Sequence, residues 1–300
     1  MLDLTPADRG EFPASTADIP RPPDSVVATE NFPVALRVLP ARHRGHLLAL
    51  YRYARYVDDL GDEPDPYGRP VRPADRLAAL DAFADQVRDL AAGRPVSHPV
   101  LTQLAPTMRE CDLPAAPLLR LVEANRTDQL VDRCPSYQHL LAYCHASADP
   151  VGELVLHVFG AATPDRIALS DCVCTALQIV EHLQDVGEDY RRGRVYLPSE
   201  DLVRFGVCDN ELAARHASGP LRAVLHFEAQ RVAALLDAGA PLLRELPGWS
   251  RVAVAGYLAG GRAALDALRR SGYDPLPGPP RTRRLGIARH WLLAMLGAAR

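Results

Sequence analysis

Apolar residues recur with the period of an α-helix along most of the chain. Two stripes are clearest, one within residues 77–90 and one within residues 221–236. A spacing of i, i+3, i+4 and i+7 places such side chains on one helix face, whereas a half-buried strand alternates apolar and polar residues. Alternating runs of β-branched residues are nearly absent between residues 34 and 272. The pattern therefore predicts an all-α fold. The first stripe consists of Leu77, Leu80, Phe83, Val87 and Leu90.

Short breaks rich in Pro and Gly separate the predicted helices, and they look like connections inside one domain. We predict a single all-α domain over residues 28–275. Residues 1–27 are rich in Pro, Asp and Ser and are predicted to form a disordered arm. Residues 276–300 are predicted to form a basic tail with a short amphipathic helix.

One predicted helical segment, residues 137–159, contains Asp149 followed by Pro150. Proline removes a backbone hydrogen bond from a helix and clashes with the preceding turn. The segment is therefore either one kinked helix or two helices joined by a tight turn, and the sequence leaves both open.

Composition narrows the class of protein. With 300 residues and 48% apolar content, the chain can bury a substantial core. A net charge of −3 provides no basic field, so nucleic acid is not an expected partner. The six cysteines include no CxxC pair and are predicted to be reduced core residues. No secretory signal is evident in the first 30 residues, and no apolar run reaches about 18 residues, so we expect a cytoplasmic protein.

The C-terminal tail departs from this charge balance. Arg281, Arg283, Arg284 and Arg289 accompany the apolar segment 290–296. A short amphipathic helix of this kind can rest on anionic lipid. A helix packed on the protein body is an equally good interpretation. If the helix rests on lipid, the protein would be a peripheral protein at the inner face of the cytoplasmic membrane.

Four acids are concentrated at the end of the segment YRYARYVDDLGDE, residues 51–63. Asp58 and Asp62 lie four residues apart on one helix face, where like charges destabilise a helix by roughly 0.2–0.5 kcal/mol per pair. Gly61 and Pro64 indicate that the helix ends here, so the acids also meet the negative end of its dipole. We therefore expect a cation at this position.

A second acidic cluster lies in residues 178–198, QIVEHLQDVGEDYRRGRVYLP. Glu181, Asp185 and Asp189 repeat at i, i+4 and i+8 along one helix face, and Gln178 extends the same stripe. A solvated helix face could carry such charges. Both clusters, however, belong to otherwise apolar helices, and both are followed by a break.

Two facing carboxylate walls without Cys or His at metal-ligand spacing favour a hard cation such as Mg²⁺, which keeps waters and shares substrate phosphates. Arg55 lies one turn before Asp58, and Arg194 follows the second cluster. Guanidinium groups bind phosphate oxygens in a bidentate manner, although these arginines could equally complement the negative ends of helices. We therefore expect a phosphorylated substrate.

The two clusters resemble the aspartate-rich motifs of the head-to-head isoprenoid synthases, the family of squalene, dehydrosqualene and phytoene synthases. Residues 51–62 resemble the first motif, YxxxRxxDDxxD, and residues 178–198 resemble the second, a carboxylate ladder followed by RGRxYLP. A weaker match comprises Tyr143-Cys144 and Val151-Gly152. The resemblance spans roughly residues 28–272, and the two long motifs together are highly specific.

This resemblance implies an all-α isoprenoid-synthase fold with a central active-site cavity. Mg²⁺ ions would bridge the substrate diphosphate to Asp58, Asp62, Asp185 and Asp189. Metal and arginine would stabilise the departing diphosphate, and an apolar cavity would shelter the carbocation from water. The other implied site residues are Tyr51 and Tyr196 as catalytic groups, Arg55, Gln178 and Arg194 as substrate-binding groups, and Thr29 and Asn31 as diphosphate contacts.

Departures from the family pattern resemble the bacterial hydroxysqualene synthases of hopanoid pathways. Glu181 replaces the usual Asn of the ladder, and residues 147–150 read SADP where the family has VAG. Residues 31–40 and 123–129 also resemble this branch. Its members ionise presqualene diphosphate, rearrange the carbocation and add water, without NADPH. Glu181 would be a third metal ligand on the second wall or would orient the capturing water, a role for which Asp149 is the alternative.

Two other functions remain open. A squalene- or phytoene-type synthase, which condenses two prenyl diphosphates head to head, needs the same aspartate pairs. A non-catalytic member of the family would act as a helical assembly protein, but degraded aspartates would mark such a protein and both pairs are intact. Other enzymes of the pathway are further candidate partners.

Overall fold

The computed structural model describes residues 39–64 and 67–298. Within these ranges the chain forms helices and no strand, with one isolated parallel bridge between Arg133 and Val195. The predicted all-α fold is confirmed. The helices are α1 (Ala41–Asp62), α2 (Pro73–Ala91), α3 (Pro99–Glu110), α4 (Ala115–Thr127), α5 (Tyr137–Ser147), α6 (Asp149–Val158), α7 (Pro164–Arg191), α8 (Ser199–Phe205), α9 (Asp209–Leu212), α10 (Gly219–Gly239), α11 (Leu242–Glu245), α12 (Gly248–Arg270) and α13 (Arg284–Ala298).

The core consists of two clusters of buried apolar side chains. The first cluster contains side chains from α1, α2, α3 and α4. It includes Leu80, Phe83 and Val87 from the stripe that the sequence shows on α2. The second surrounds α7, with α10 and α12 packed against it. Burial of an apolar side chain of this size stabilises the folded state by about 1.5–3 kcal/mol. The helices that carry the two acidic motifs, α1 and α7, therefore belong to different core clusters.

The segment around Pro150 forms two helices, which is the second of the two alternatives left open by the sequence. Helix α5 ends at Ser147, and Ala148 joins it to α6 with φ −113° and ψ −47°. Gly152 then allows a close approach to α7, because a Cβ at this position would collide with the side chains of Ser170 and Cys174. The break therefore lets α6 pack tightly on the helix that carries the second acidic motif.

The last helix packs along α12. Trp291 Nε1 donates to the carbonyl of Val252 at 3.3 Å, and His290 Nε2 lies 2.9 Å from Asp266 Oδ2. None of the described helices is both long enough and apolar enough to cross a bilayer. All six cysteines are free, as predicted, but only Cys134 and Cys144 are buried; Cys111, Cys172 and Cys174 are half-buried, and the prediction of a core position is wrong for Cys208, which is exposed.

A buried charge network joins α8 to α10. Glu228 is fully buried, and Arg231 Nη1 lies 2.7 Å from Glu228 Oε1 and 2.6 Å from Asp201 Oδ2. The Arg231 guanidinium also lies over the rings of Tyr137 and Phe227, at 4.0 Å and 4.3 Å from their centroids. Burial raises the pKa of Glu228 to about 8, although Arg231 opposes this shift.

Replacing Glu228 by Gln should make the free energy of unfolding less dependent on pH. The folded protein holds a proton on Glu228 up to a pKa of about 8, whereas the unfolded chain releases it near its ordinary value. Glu228 should therefore contribute fully to the free energy of unfolding below about pH 4.5, and this contribution should be lost as the pH rises through 8. Urea unfolding followed by circular dichroism should show that the wild-type protein loses on the order of 3–5 kcal/mol more than Glu228→Gln between pH 5 and 9.

The matched control is Glu245→Gln, because Glu245 forms a half-exposed ion pair with Arg166 at 3.6 Å. Its effect on the free energy of unfolding should be small and constant over the same pH range. A constant difference between wild-type protein and Glu228→Gln over that range would contradict the prediction.

Candidate active site

The first carboxylate wall consists of Asp58 and Asp62 in the last turn of α1, where the sequence predicts the helix to end. Asn125 Nδ2 of α4 donates to Asp58 Oδ1 at 3.1 Å. Burial raises the pKa of Asp58 to about 6, and the nearby charge of Asp62 adds to this effect. Asp58 nevertheless retains solvent-accessible surface. Many protein atoms surround this carboxylate, and water still reaches it. The carboxylate therefore faces a concave opening, as expected for a ligand-binding wall.

A polar contact from the residues that follow α4 fixes the backbone of this wall. Gln129 Nε2 donates to the carbonyls of Gly61 and Asn125, at 3.1 Å in each case. Gly61 makes the close approach of Asn125 possible, because a Cβ at Gly61 would overlap Asn125 Oδ1. The glycine that the sequence shows between the two aspartates thus creates space for the side chain that orients Asp58.

The second wall consists of Glu181, Asp185 and Asp189 on α7. Burial raises the pKa of Asp185 to about 6, and the charges of Glu181 and Asp189 add to this effect. His182 Nδ1 lies 3.6 Å from Asp189 Oδ2, and Gln178 Nε2 lies 3.1 Å from His182 Nε2. The predicted stripe of Glu181, Asp185 and Asp189 therefore lies on one face of α7, where the three negative charges are close together.

Arg194 joins the two walls. It follows α7, and its Nη2 lies 2.8 Å from Asp62 Oδ1. Burial lowers the pKa of Arg194, but the hydrogen bond to Asp62 and the nearby charges of Asp128 and Asp62 together outweigh this effect and raise the pKa overall. The adjacent backbone is fixed, because Val195 N donates to Asp132 O at 2.8 Å. Arg194, a side chain of the second motif, therefore provides positive charge beside the first wall, where the sequence predicts a cation.

Two tyrosines and a histidine form a network beside Arg194. Tyr143 and Tyr196 both donate hydroxyl hydrogen bonds to Asp128, at 2.8 Å and 3.1 Å. The rings of His182 and Tyr196 stack with centroids 3.8 Å apart and planes 17° apart. A small pocket of about 10 Å³, room for about one water molecule, lies at this point and is lined in part by His182, Asp189, Arg194 and Tyr196.

The remaining predicted residues differ in their relation to this pocket. Arg55 Nε pairs with Asp59 Oδ1 at 2.9 Å, and its charge also lowers the pKa of Asp58. Tyr51 is half-buried on α1, about two turns before Asp58. Thr29 and Asn31 lie outside the described residues. The structure thus brings Asp62 and Arg194 into direct contact and leaves the predicted roles of Arg55, Tyr51, Thr29 and Asn31 as predictions.

Four further residues organise the site, namely Asn125, Asp128, Gln129 and His182. The sequence marks residues 123–129 only by a resemblance to the hydroxysqualene synthases, and it predicts none of the four as a site residue. Asn125, Asp128 and Gln129 belong to the segment EANRTDQ, whose polar side chains at i and i+4 interrupt an apolar helix and could have indicated a buried network. His182 lies inside the second motif, but its stacking on Tyr196 depends on the loop after α7. No local pattern indicates that contact.

The donors of both walls fit Mg²⁺ in chemistry. All five carboxylates are oxygen ligands, and the pKa values of Asp58 and Asp185 are raised first by burial and then by neighbouring like charges, which a cation would relieve. No three of these five acids have ligand atoms within 4.8 Å of one another in residues 39–64 and 67–298. The walls therefore fit ions that take one or two carboxylates each and complete their coordination with water and phosphate oxygens.

A separate group with metal-ligand chemistry lies between α5, α6 and α7. His145, Asp149 and Asp171 have ligand atoms within 4.8 Å of one another. Asp149 is only 4% exposed, accepts a hydrogen bond from Thr175 Oγ1 at 2.8 Å and lies 3.3 Å from His145 Nδ1. Both carboxylate oxygens of Asp149 are therefore engaged by protein groups, which does not favour Asp149 as the residue that positions the capturing water.

The fold and the two joined walls define a class of protein, an isoprenoid synthase of helical architecture. The model of the squalene/phytoene synthase family matches residues 27–290. The chain therefore belongs to the squalene/phytoene synthase family, whose members are isoprenoid synthases that act on prenyl diphosphates. The resemblance found in the two motifs is confirmed.

Several characterised relatives share much of the chain. It is 36% identical to hydroxysqualene synthase from Rhodopseudomonas palustris over 218 residues, which cover 72% of this chain and 71% of the relative. It is 35% identical to hydroxysqualene synthase from Zymomonas mobilis over 210 residues, which cover 69% and 67%. It is also 31% identical to phytoene synthase from Mycobacterium tuberculosis over 222 residues, which cover 73% and 70%.

Solved structures show the same architecture. The crystal structure of squalene synthase HpnC from Alicyclobacillus acidocaldarius matches with a TM-score of 0.75 and 40% identity, and the match covers 82% of this chain and 90% of the other. A dehydrosqualene synthase in complex with a ligand matches with a TM-score of 0.81 at 23% identity, over 92% and 95% of the two chains. The second match supports the fold alone.

Proposed function

We propose that this protein is a hydroxysqualene synthase. It would ionise presqualene diphosphate with Mg²⁺, rearrange the carbocation and capture it with water, releasing hydroxysqualene and diphosphate without NADPH. The observation that carries the proposal is the contact between Arg194 and Asp62, because it places the guanidinium of the second motif on the aspartate of the first. A diphosphate bound there would meet both carboxylate walls.

In this proposal the two walls hold the metal that binds the diphosphate. The ligands would be Asp58 and Asp62 on α1 and Glu181, Asp185 and Asp189 on α7. Bound Mg²⁺ would neutralise the negative charge that develops on the departing diphosphate. Asn125 holds Asp58 in place through its amide, and His182 lies against Asp189. Such outer contacts orient ligands and tune their basicity.

Arg194 would bind the leaving group directly. A guanidinium has five N–H donors, so Arg194 can keep its contact with Asp62 and still donate to phosphate oxygens. Tyr196 directs its hydroxyl at Asp128 and its ring at His182. We therefore assign Tyr196 chiefly to positioning, because its hydroxyl proton is already used within the protein.

Glu181 separates this protein from the usual family ladder. It lies one helical turn before Asp185 on the same face of α7, and its charge raises the pKa of that aspartate. This position supports a role as a third metal ligand on the second wall rather than as a base for the capturing water.

A second candidate function is head-to-head condensation of two prenyl diphosphates, as in squalene and phytoene synthases. Two observations favour it. Phytoene synthases occur among the relatives at 31% identity, and the structure matched at 40% identity is described as a squalene synthase. Both functions begin with the ionisation of a prenyl diphosphate, so the two walls serve either one.

Product analysis separates the two. Purified protein is incubated with Mg²⁺ and either presqualene diphosphate or farnesyl diphosphate, with and without NADPH, in isotopically labelled water. Mass spectrometry should show hydroxysqualene from presqualene diphosphate, labelled in its oxygen and independent of NADPH. Conversion of farnesyl diphosphate alone to presqualene diphosphate or to a hydrocarbon would instead identify a condensing enzyme and would contradict the interpretation of Glu181.

Replacing Gly61 by Ala should lower the rate of diphosphate release by about 10–100-fold, the usual effect of disturbing the groups that orient a metal ligand. The added Cβ overlaps Asn125 Oδ1, so Asn125 must move away from Asp58. The measurement is the release of diphosphate as a function of Mg²⁺ concentration, which should also show a weaker apparent affinity for Mg²⁺.

Gly45→Ala is the matched control on the same helix. Nothing lies within 4 Å of a Cβ at Gly45, so this change should leave activity unchanged and stabilise α1 by up to about 1 kcal/mol. Equal activity and equal Mg²⁺ dependence in the two variants would show that the contact between Asn125 and Asp58 does not position the first wall.

A further inference from the structure

The outward face of α13 is apolar although it faces solvent. Leu285, Leu292, Leu293 and Leu296 are 86%, 54%, 50% and 58% exposed. The positions 285, 289, 292 and 296 follow the i, i+4, i+7 and i+11 spacing of one helix face. Contiguous exposed apolar surface of this kind marks an interaction site more often than a solvated surface.

The opposite face of α13 attaches the helix to the protein body. Trp291, Ala294, Met295 and Ala298 pack against the core cluster around α7 and α12. The indole of Trp291 and the imidazole of His290 add hydrogen bonds to α12. The exposed leucines therefore belong to a second apolar face, one that packing on the body does not cover.

The charge of this region is opposite to that of the rest of the chain. Residues 275–300 contain five Arg and neither Asp nor Glu, whereas the whole chain has a net charge of −3. Arg281, Arg283, Arg284 and Arg289 are exposed. Arg289 lies within the leucine face, where its long side chain can place its charge at the edge of an apolar layer.

The segment before α13 is fastened to the helix of the second wall. Gln184 Nε2 donates to the carbonyl of Pro280 at 2.8 Å. Leu276 lies against Gly187, since a Cβ at Gly187 would be 3.3 Å from Leu276 Cδ2. The basic, leucine-faced surface therefore begins beside the residues that follow Glu181 on α7.

We propose that the outward face of α13, together with Arg281, Arg283, Arg284 and Arg289, docks the protein on an anionic bilayer surface. Leucines enter the boundary between headgroups and acyl chains, and the arginines bind the anionic headgroups. A bilayer fits better than a protein partner, because the face combines adjacent leucines with basic groups only. Docking on this side places the helix of the second wall close to the membrane, from which an apolar substrate could enter.

Vesicle flotation tests the docking without substrate. The full chain is mixed with vesicles of phosphatidylcholine alone or of phosphatidylcholine and phosphatidylglycerol. Binding should require the anionic lipid and should weaken between about 0.1 M and about 1 M salt, because the Debye length falls from about 10 Å to about 3 Å. Replacing Arg283 and Arg284 by Gln should weaken binding about fivefold per residue. Replacing Leu292 and Leu296 by Gln should weaken it about tenfold or more.

Val203→Gln is the control, because Val203 is 79% exposed on α8 and lies outside α13. It should bind vesicles like the wild-type protein. Equal binding to neutral vesicles, or binding unaffected by both double variants, would overturn the proposal. So would self-association that is lost with Leu292→Gln and Leu296→Gln, since a second copy of the chain would then cover the face.

The outcome is separable from that of the proposed function. Docking is measured on vesicles without substrate, whereas turnover is measured with substrate dissolved in detergent. In detergent the leucine and arginine variants should release diphosphate at the wild-type rate. A protein that binds anionic vesicles but forms a different product would retain the docking proposal and lose only the identification of the product.

Discussion

Replacement of Asp58 or of Asp185 by Asn is expected to reduce diphosphate release by at least about 10²–10³-fold, the effect of removing one group that stabilises charge in a transition state. Each aspartate belongs to one of the two walls, and burial together with neighbouring acids raises its pKa to about 6. Asn keeps the shape but removes the charge that would hold the metal. The measurement is the rate of diphosphate release at saturating Mg²⁺, with helicity checked by circular dichroism.

Neighbouring acids on the same two helices are the matched controls. Asp59 pairs with Arg55 at 2.9 Å and Glu188 pairs with Arg192 at 2.7 Å, so each of these carboxylates already has a guanidinium partner. Asp59→Asn and Glu188→Gln should change the rate only a few-fold. Full turnover by Asp58→Asn or Asp185→Asn at saturating Mg²⁺ would rule out the assignment of these residues as metal ligands.

The sequence could predict the walls because each lies on one helix and follows from helical periodicity alone. Asp58 and Asp62 share a face by their i, i+4 spacing, and so do Glu181 and Asp185. The end of α1 could be predicted from Gly61 and Pro64. The all-α fold followed for the same reason, since apolar stripes with this period recur along the chain.

The supporting contacts could not be predicted, because they join residues far apart in sequence. Asn125 reaches Asp58 across 67 positions, and Tyr196 reaches Asp128 across 68. Their geometry depends on how α4 and the loop after α7 pack. The loop position in turn depends on the backbone pairing between Asp132 and Val195, which no local pattern indicates.

The C-terminal helix shows why two alternatives in a sequence need not exclude each other. A basic segment with apolar residues predicted either lipid contact or packing on the body. In the structure one face of α13 carries Trp291 and packs on the core, while the other carries Leu292 and Leu296 and faces solvent. Composition alone could not assign these residues to faces, because both faces are apolar.

Arg194→Gln is expected to reduce the rate of diphosphate release by about 10²-fold or more. The substitution removes the positive charge that would bind the leaving group, and it also removes the contact with Asp62 that joins the walls. Arg194→Lys should recover only part of the rate, since an ammonium group lacks the planar fork that contacts Asp62 and phosphate together. The rate and the KM for the prenyl diphosphate are measured separately. A contribution to the transition state should appear in the rate rather than in KM alone.

Arg192→Gln is the control within the same loop, because Arg192 forms an ion pair with Glu188 on the protein surface. Its effect should stay within a few-fold. A double-mutant cycle with Asp62→Asn then tests the contact itself. If Asp62 orients Arg194, the double variant should lose less than the product of the two single losses, because the second change removes a contact that is already broken. Strict multiplicativity would show that the two residues act separately, and an unchanged rate for Arg194→Gln would exclude Arg194 from the leaving-group site.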